Sequence, residues 1–209
     1  MVCFIIASLF KKWDPIPLSI LLYSLLCFFF LLNYFEIPNS SRKYFQTAYT
    51  TFEYLFFTYI LFKNIKNRKI KPYIVILSFL FIVFQAIYVQ LGTIIKLDTI
   101  PIGIETILIV FYIIVFLSEL AKNMETSIFR NYCFWISIGI LIYLCGSFFF
   151  YILIDSLSRE EVLAFGEMTY IVEIIKNVLF GISLIIFSKA GFKKELHEEI
   201  RPAPYLDIT

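Results

Sequence analysis

The sequence predicts an all-α integral membrane protein, a bundle of six full transmembrane helices plus one short N-terminal helix. Three observations carry that expectation. First, 60% of the 209 residues are hydrophobic and only 16% are charged. A soluble domain has about 45–50% and about a quarter, so this chain lacks the charge to cover a water-facing surface. Second, six apolar runs of 19 to 23 residues alternate with short polar loops, and roughly 20 helical residues cross the hydrocarbon core. Third, Lys and Arg concentrate in alternate loops, as threading through a bilayer requires.

The segments follow in order. Residues 1–10 cover about 15 Å as a helix, half of the core. They read as a re-entrant or interfacial piece, or as a helix whose start lies upstream. Lys11 and Lys12 follow the run and no basic residue precedes it, so it does not resemble a signal peptide. Full spans are expected at 15–35, 44–62, 72–91, 100–120, 132–154 and 168–188. Pro101 and Gly103 sit in the first turn of the 100–120 helix, where proline costs little. Gly139 and Gly146, with Ser147, put small residues on one face of the 132–154 helix, the pattern of a close-packed seam. The SSRK and DSLSREE loops read as solvated connectors, and LSREEV as a short surface helix capped by Ser156 or Ser158. The transmembrane domain is thus 1–188, with a tail at 189–209.

Orientation follows from the basic residues. Thirteen Lys and Arg lie in loops 11–14, 63–71 and 121–131 and the tail, against four in loops 36–43, 92–99 and 155–167. The tail is therefore expected in the cytoplasm, with KNIKNRKIK (63–71) the strongest anchor. The N-terminus is outside if residues 1–10 span, and inside otherwise.

Most chemistry is excluded by what is missing. No loop exceeds 13 residues, which leaves no room in this sequence for a soluble catalytic domain. No Gly-rich phosphate loop, HExxH or GxSxG occurs. Cys3, Cys27, Cys133 and Cys145 show no ligand spacing and read as small apolar packing residues. His197, the single histidine, falls in the polar tail. No cofactor and no metal are expected, the net charge of +2 gives no case for nucleic acid, and no internal repeat suggests an inverted-repeat transporter. The tail reads as a frayed end, or as a docking peptide anchored by PYLDI.

The informative residues are the polar ones inside the spans: Glu53, Gln85, Glu105, Glu173, Lys176 and Asn177. A charge at mid-membrane costs on the order of 3 kcal/mol even on the lenient insertion scale, so such side chains face the bundle interior. Helical spacing agrees. Thr169, Glu173, Lys176, Asn177 and Gly181 form one stripe, as do Gln46, Thr50 and Glu53, while Glu105, Tyr112 and Glu119 recur at seven-residue steps. Threading places Glu105, Gln85, Glu173 and Lys176 in the outer half and Glu53 near the middle. A ligand or ion pocket opening outward is one reading. The other is a structural staple, with Lys176 snorkelling or pairing with Glu173 at i, i+3, and Glu53 protonated or paired across helices.

The segments LDTIPIGIETILIVFYIIVFLSE, FWISIGILIYLCGSFFFYI and IVEIIKNVLFGISLIIFSK, with the terminal PYLDI, resemble a family of small multi-spanning proteins from Bacteroidota. The resemblance runs from about Phe52 to the C-terminus. It implies a seven-helix inner-membrane protein, a full first helix where this chain has ten residues, and no assigned activity. The functional expectation is a non-enzymatic sensory or partner-binding module, with a separate cytoplasmic output protein as partner besides the bilayer. A small transporter or proton-coupled carrier is the alternative.

Overall fold

The computed structural model describes residues 15–34, 38–91, 99–122, 128–153 and 158–199, which are helical but for short turns, with no strand among them. Six α-helices follow one another: α1 (Pro15–Tyr34), α2 (Asn39–Asn64), α3 (Lys71–Leu91), α4 (Thr99–Lys122), α5 (Tyr132–Leu153) and α6 (Arg159–Glu199). A 3₁₀ turn, Ile128–Arg130, precedes α5. The expected segment at 1–10 and the end of the tail, 200–209, lie outside the described residues.

Four helices, α3 to α6, are long and apolar enough to cross a membrane. Of the six full spans expected from the sequence, four meet this criterion among the described residues. In α1 the apolar stretch among the described residues is Leu18–Phe30. In α2 the middle is diluted by Gln46, Thr47, Thr50, Thr51, Glu53 and Thr58, all of them partly or fully buried. These polar side chains turn into the bundle, which lowers the mean hydropathy of a helix that is nonetheless packed inside it.

Two boundaries also move. α2 begins at Asn39 instead of Tyr44, because Pro38 (φ −57°, ψ 146°) sets an extended entry and the Ser41 amide bonds the Pro38 carbonyl at 2.9 Å. α6 runs unbroken for 41 residues, absorbing both the expected surface helix and the start of the tail. Its first turn is a capping box: the Ser158 amide donates to Glu161 Oε2 (2.8 Å) and the Glu161 amide to Ser158 Oγ (3.4 Å).

The bundle is apolar inside and out. Tyr54, Phe57, Ile60, Ile109, Tyr112, Ile113, Ile136 and Ile140 are almost wholly buried, whereas Phe79, Ile107, Ile114 and Phe149 are more than half exposed. An outer surface of this kind suits hydrocarbon. α5 and α6 approach most closely. A Cβ at Gly146 would come within 2.6 Å of Val172 Cγ1, and one at Gly139 within 3.3 Å of Leu179 Cβ, so the seam requires these glycines.

The seven-residue polar line of α4 divides its work along the helix. Glu119 accepts the backbone amides of Lys66 (2.8 Å) and Asn67 (3.2 Å), tying down the α2–α3 turn. Tyr112 meets Tyr54 at 3.2 Å, and Tyr54 donates to Ser78 at 2.9 Å. Glu105, at the opposite end, borders a cavity.

Candidate functional site

Two buried carboxylates dominate the interior, and they are treated very differently. Glu53, midway along α2, accepts a hydrogen bond from the Tyr23 hydroxyl at 2.6 Å and a longer one from Tyr49 at 3.4 Å. Its second oxygen accepts from Tyr143 at 3.2 Å. Lys176 Nζ stands 3.9 Å from Glu53 Oε1 and donates to the Tyr23 hydroxyl at 2.8 Å. The ammonium also lies 3.8 Å from the Tyr143 ring centroid and 5.1 Å from that of Tyr23, a cation–π enclosure.

Lys176 has no measurable exposure. Burying a charge is tolerable only when it is paired and hydrogen-bonded, and this knot supplies both from α1, α2, α5 and α6. Of the arrangements open in the sequence, Lys176 takes the cross-helix pair with Glu53. Neither snorkelling nor a contact with Glu173 is needed.

Next to the knot lies a cavity of about 680 Å³, bordered by side chains from all six helices. Five of the six sequence-derived site residues line it: Glu53, Gln85, Glu105, Glu173 and Asn177. The sixth, Lys176, does not border the cavity and sits sealed behind Glu53. The stripes on α2 and α6 and the N-terminal turns of α4 thus converge as their spacing implies. Phe30, Phe45, Tyr49 and Tyr143 add an aromatic wall.

Glu105 and Gln85 are each only 3% exposed, yet both have an unused polar atom. One end of the Gln85 amide meets Thr51 Oγ1 at 3.0 Å, whose hydrogen goes to the Thr47 carbonyl at 2.8 Å; the other end is unused, and Glu105 Oε1 has no donor. Buried groups of this kind are normally satisfied, and both residues border the cavity.

The residues that sequence reasoning missed are Tyr23, Tyr49 and Tyr143. With 14 tyrosines in the chain, composition does not single them out. A signal existed for Tyr49, one turn before Glu53 at i, i+4. For Tyr23 and Tyr143, only knowledge of helix pairing connects them to Glu53.

No protein-family model, no curated protein and no solved structure matches this chain. Its function must be read from its own geometry.

Proposed function

We propose that this chain is a non-enzymatic, multi-pass membrane protein acting as a sensory or partner-binding module whose cavity receives a ligand. The supporting observation is the convergence of five intramembrane polar residues on one cavity, two of them with unused hydrogen-bonding atoms. Pockets of a few hundred Å³ with an apolar wall and few polar groups are the usual form of small-molecule sites.

In this reading the chain lies in a bacterial inner membrane, with six full spans, a partial N-terminal helix and a cytoplasmic C-terminus. The cavity then falls in the outer half of the bundle. The distribution of basic residues supports that orientation. A signal leaves through the KNIKNRKIK loop or the tail to a separate cytoplasmic protein. Neither a cofactor nor nucleic acid takes part.

Orientation and access are tested together by placing a cysteine in the cavity wall (Asn177→Cys) with the four native cysteines replaced. A membrane-impermeant maleimide should label it from the outside only. Labelling from the cytoplasmic side alone would discard the outward pocket.

One observation favours a small transporter or proton-coupled carrier as the second reading. Glu53 both borders the cavity and closes the buried Tyr23–Lys176 chain, so an accessible carboxylate is coupled to a sealed ammonium. Flux in proteoliposomes that disappears in Glu53→Gln would select the carrier. Equal rates in variant and parent would remove Glu53 from transport.

A further inference from the structure

We infer that the cavity takes a lipophilic amine, an organic ammonium whose charged end meets Glu105 and whose apolar body enters sideways between α1 and α6. The inference rests on the reading of the cavity as a ligand site and adds the class of ligand.

Charge is the first argument. Glu53, Glu105 and Glu173 border the cavity, and among the described residues no Lys, Arg or His does. The buried cation of the region, Lys176, is held in the knot with Glu53. The wall therefore presents carboxylate with no resident cation for Glu105. In a low-dielectric interior such a group calls for a donor or a positive partner.

Hydrogen-bonding valence is the second. Glu105 Oε1 needs a donor. An ammonium provides donors. A metal ion fits less well, since among the described residues no three His, Cys, Asp or Glu side chains converge to hold one. The aromatic wall instead suits an organic cation with an apolar body.

The mouth of the cavity is the third. Phe28, Tyr170 and Ile174 border it and are nevertheless 59%, 67% and 62% exposed. They lie on α1 and α6, on the surface that is otherwise apolar. Deeper in, the same two helices are closed together by the Lys176–Tyr23 hydrogen bond and the Tyr23–Phe180 ring contact (6.2 Å between centroids). An opening at that place faces hydrocarbon and admits molecules that partition there. An amphiphilic amine does so, whereas a hydrophilic cation stays in water.

The experiment is equilibrium dialysis of the full chain in nanodiscs of zwitterionic lipid, with retention by empty discs subtracted. Phenylbutylamine, phenylbutanol and phenylbutyrate share one apolar body and differ at the head group. The amine should be retained saturably and at least about tenfold more tightly than either analogue, in line with a hydrogen bond to a charged group. Glu105→Gln should reduce amine affinity by about tenfold or more. Should that variant fail to fold, Ile174→Trp, an exposed position at the mouth, should leave the folded state intact and slow the approach of amine retention to equilibrium, read as a time course of the same dialysis.

Equal retention of amine and alcohol, or preference for the carboxylate, would overturn the ligand class and leave the pocket standing. No saturable retention of any probe would also overturn it. The pocket itself is then judged by labelling at Asn177→Cys with an apolar maleimide that partitions into the bilayer, which enters by the same mouth and requires no bound amine.

Discussion

Glu53 and Glu105 are both buried carboxylates on neighbouring helices of one bundle, bordering one cavity. Glu53 is surrounded by three hydroxyls and an ammonium. Glu105 has an oxygen with no donor. The contrast separates two uses of intramembrane charge. A carboxylate with every need met fixes how four helices meet, and its removal is a problem of folding. A carboxylate left short of a donor contributes little to folding, and in the reading proposed above its removal is a problem of recognition.

The sharpest way to break this comparison is Lys176→Met, which leaves Glu53 buried without its cation. A loss of about 3–5 kcal/mol is expected in reversible unfolding, with much of it recovered when Glu53→Leu is added. A small effect of the single change would mean that Glu53 does not depend on Lys176. Next in size is Gly146→Ala. The added methyl meets Val172 and pushes α5, which carries Tyr143, away from α6, which carries Lys176. Overpacking of this kind costs about 1–3 kcal/mol, and Val172→Ala should restore most of it. Tyr143→Phe removes one hydrogen bond to Glu53 and keeps the ring over the ammonium, so a loss of about 1–2 kcal/mol is expected. Glu105→Leu closes the series. Stability should stay within about 0.5 kcal/mol or rise, because an unsatisfied buried acceptor is replaced by an apolar group. A large loss would show that Glu105 is as structural as Glu53.

The helices were legible where apolar runs were long and uninterrupted: 72–91 and 132–154 differ by one residue from Lys71–Leu91 and Tyr132–Leu153. Legibility failed at the start of α2, where the polar NSSRK stretch read as loop although a helix begins directly after Pro38. It failed again at α6, where the charged REE and KKEL stretches read as loop and tail although no proline interrupts them. For the site, the spacing of Glu173 and Lys176 on one helix and of Gln46, Thr50 and Glu53 on another pointed to a shared interior. It did not say which carboxylate takes the lysine. That choice depends on Tyr23 and Tyr143, which come from helices far apart in sequence and reach Glu53 only through tertiary packing.

The length of α6 has a mechanical consequence. From Glu173 at the cavity to Glu199 the helix continues without a break, a rod of about 39 Å at 1.5 Å per residue. A tilt of about 5° pivoting at cavity level would sweep the far end through roughly 3 Å, a displacement comparable to the helix shifts that switch other proteins. α6 is thus geared as a lever arm, with its short throw at the Lys176 knot and its long throw beyond Lys189.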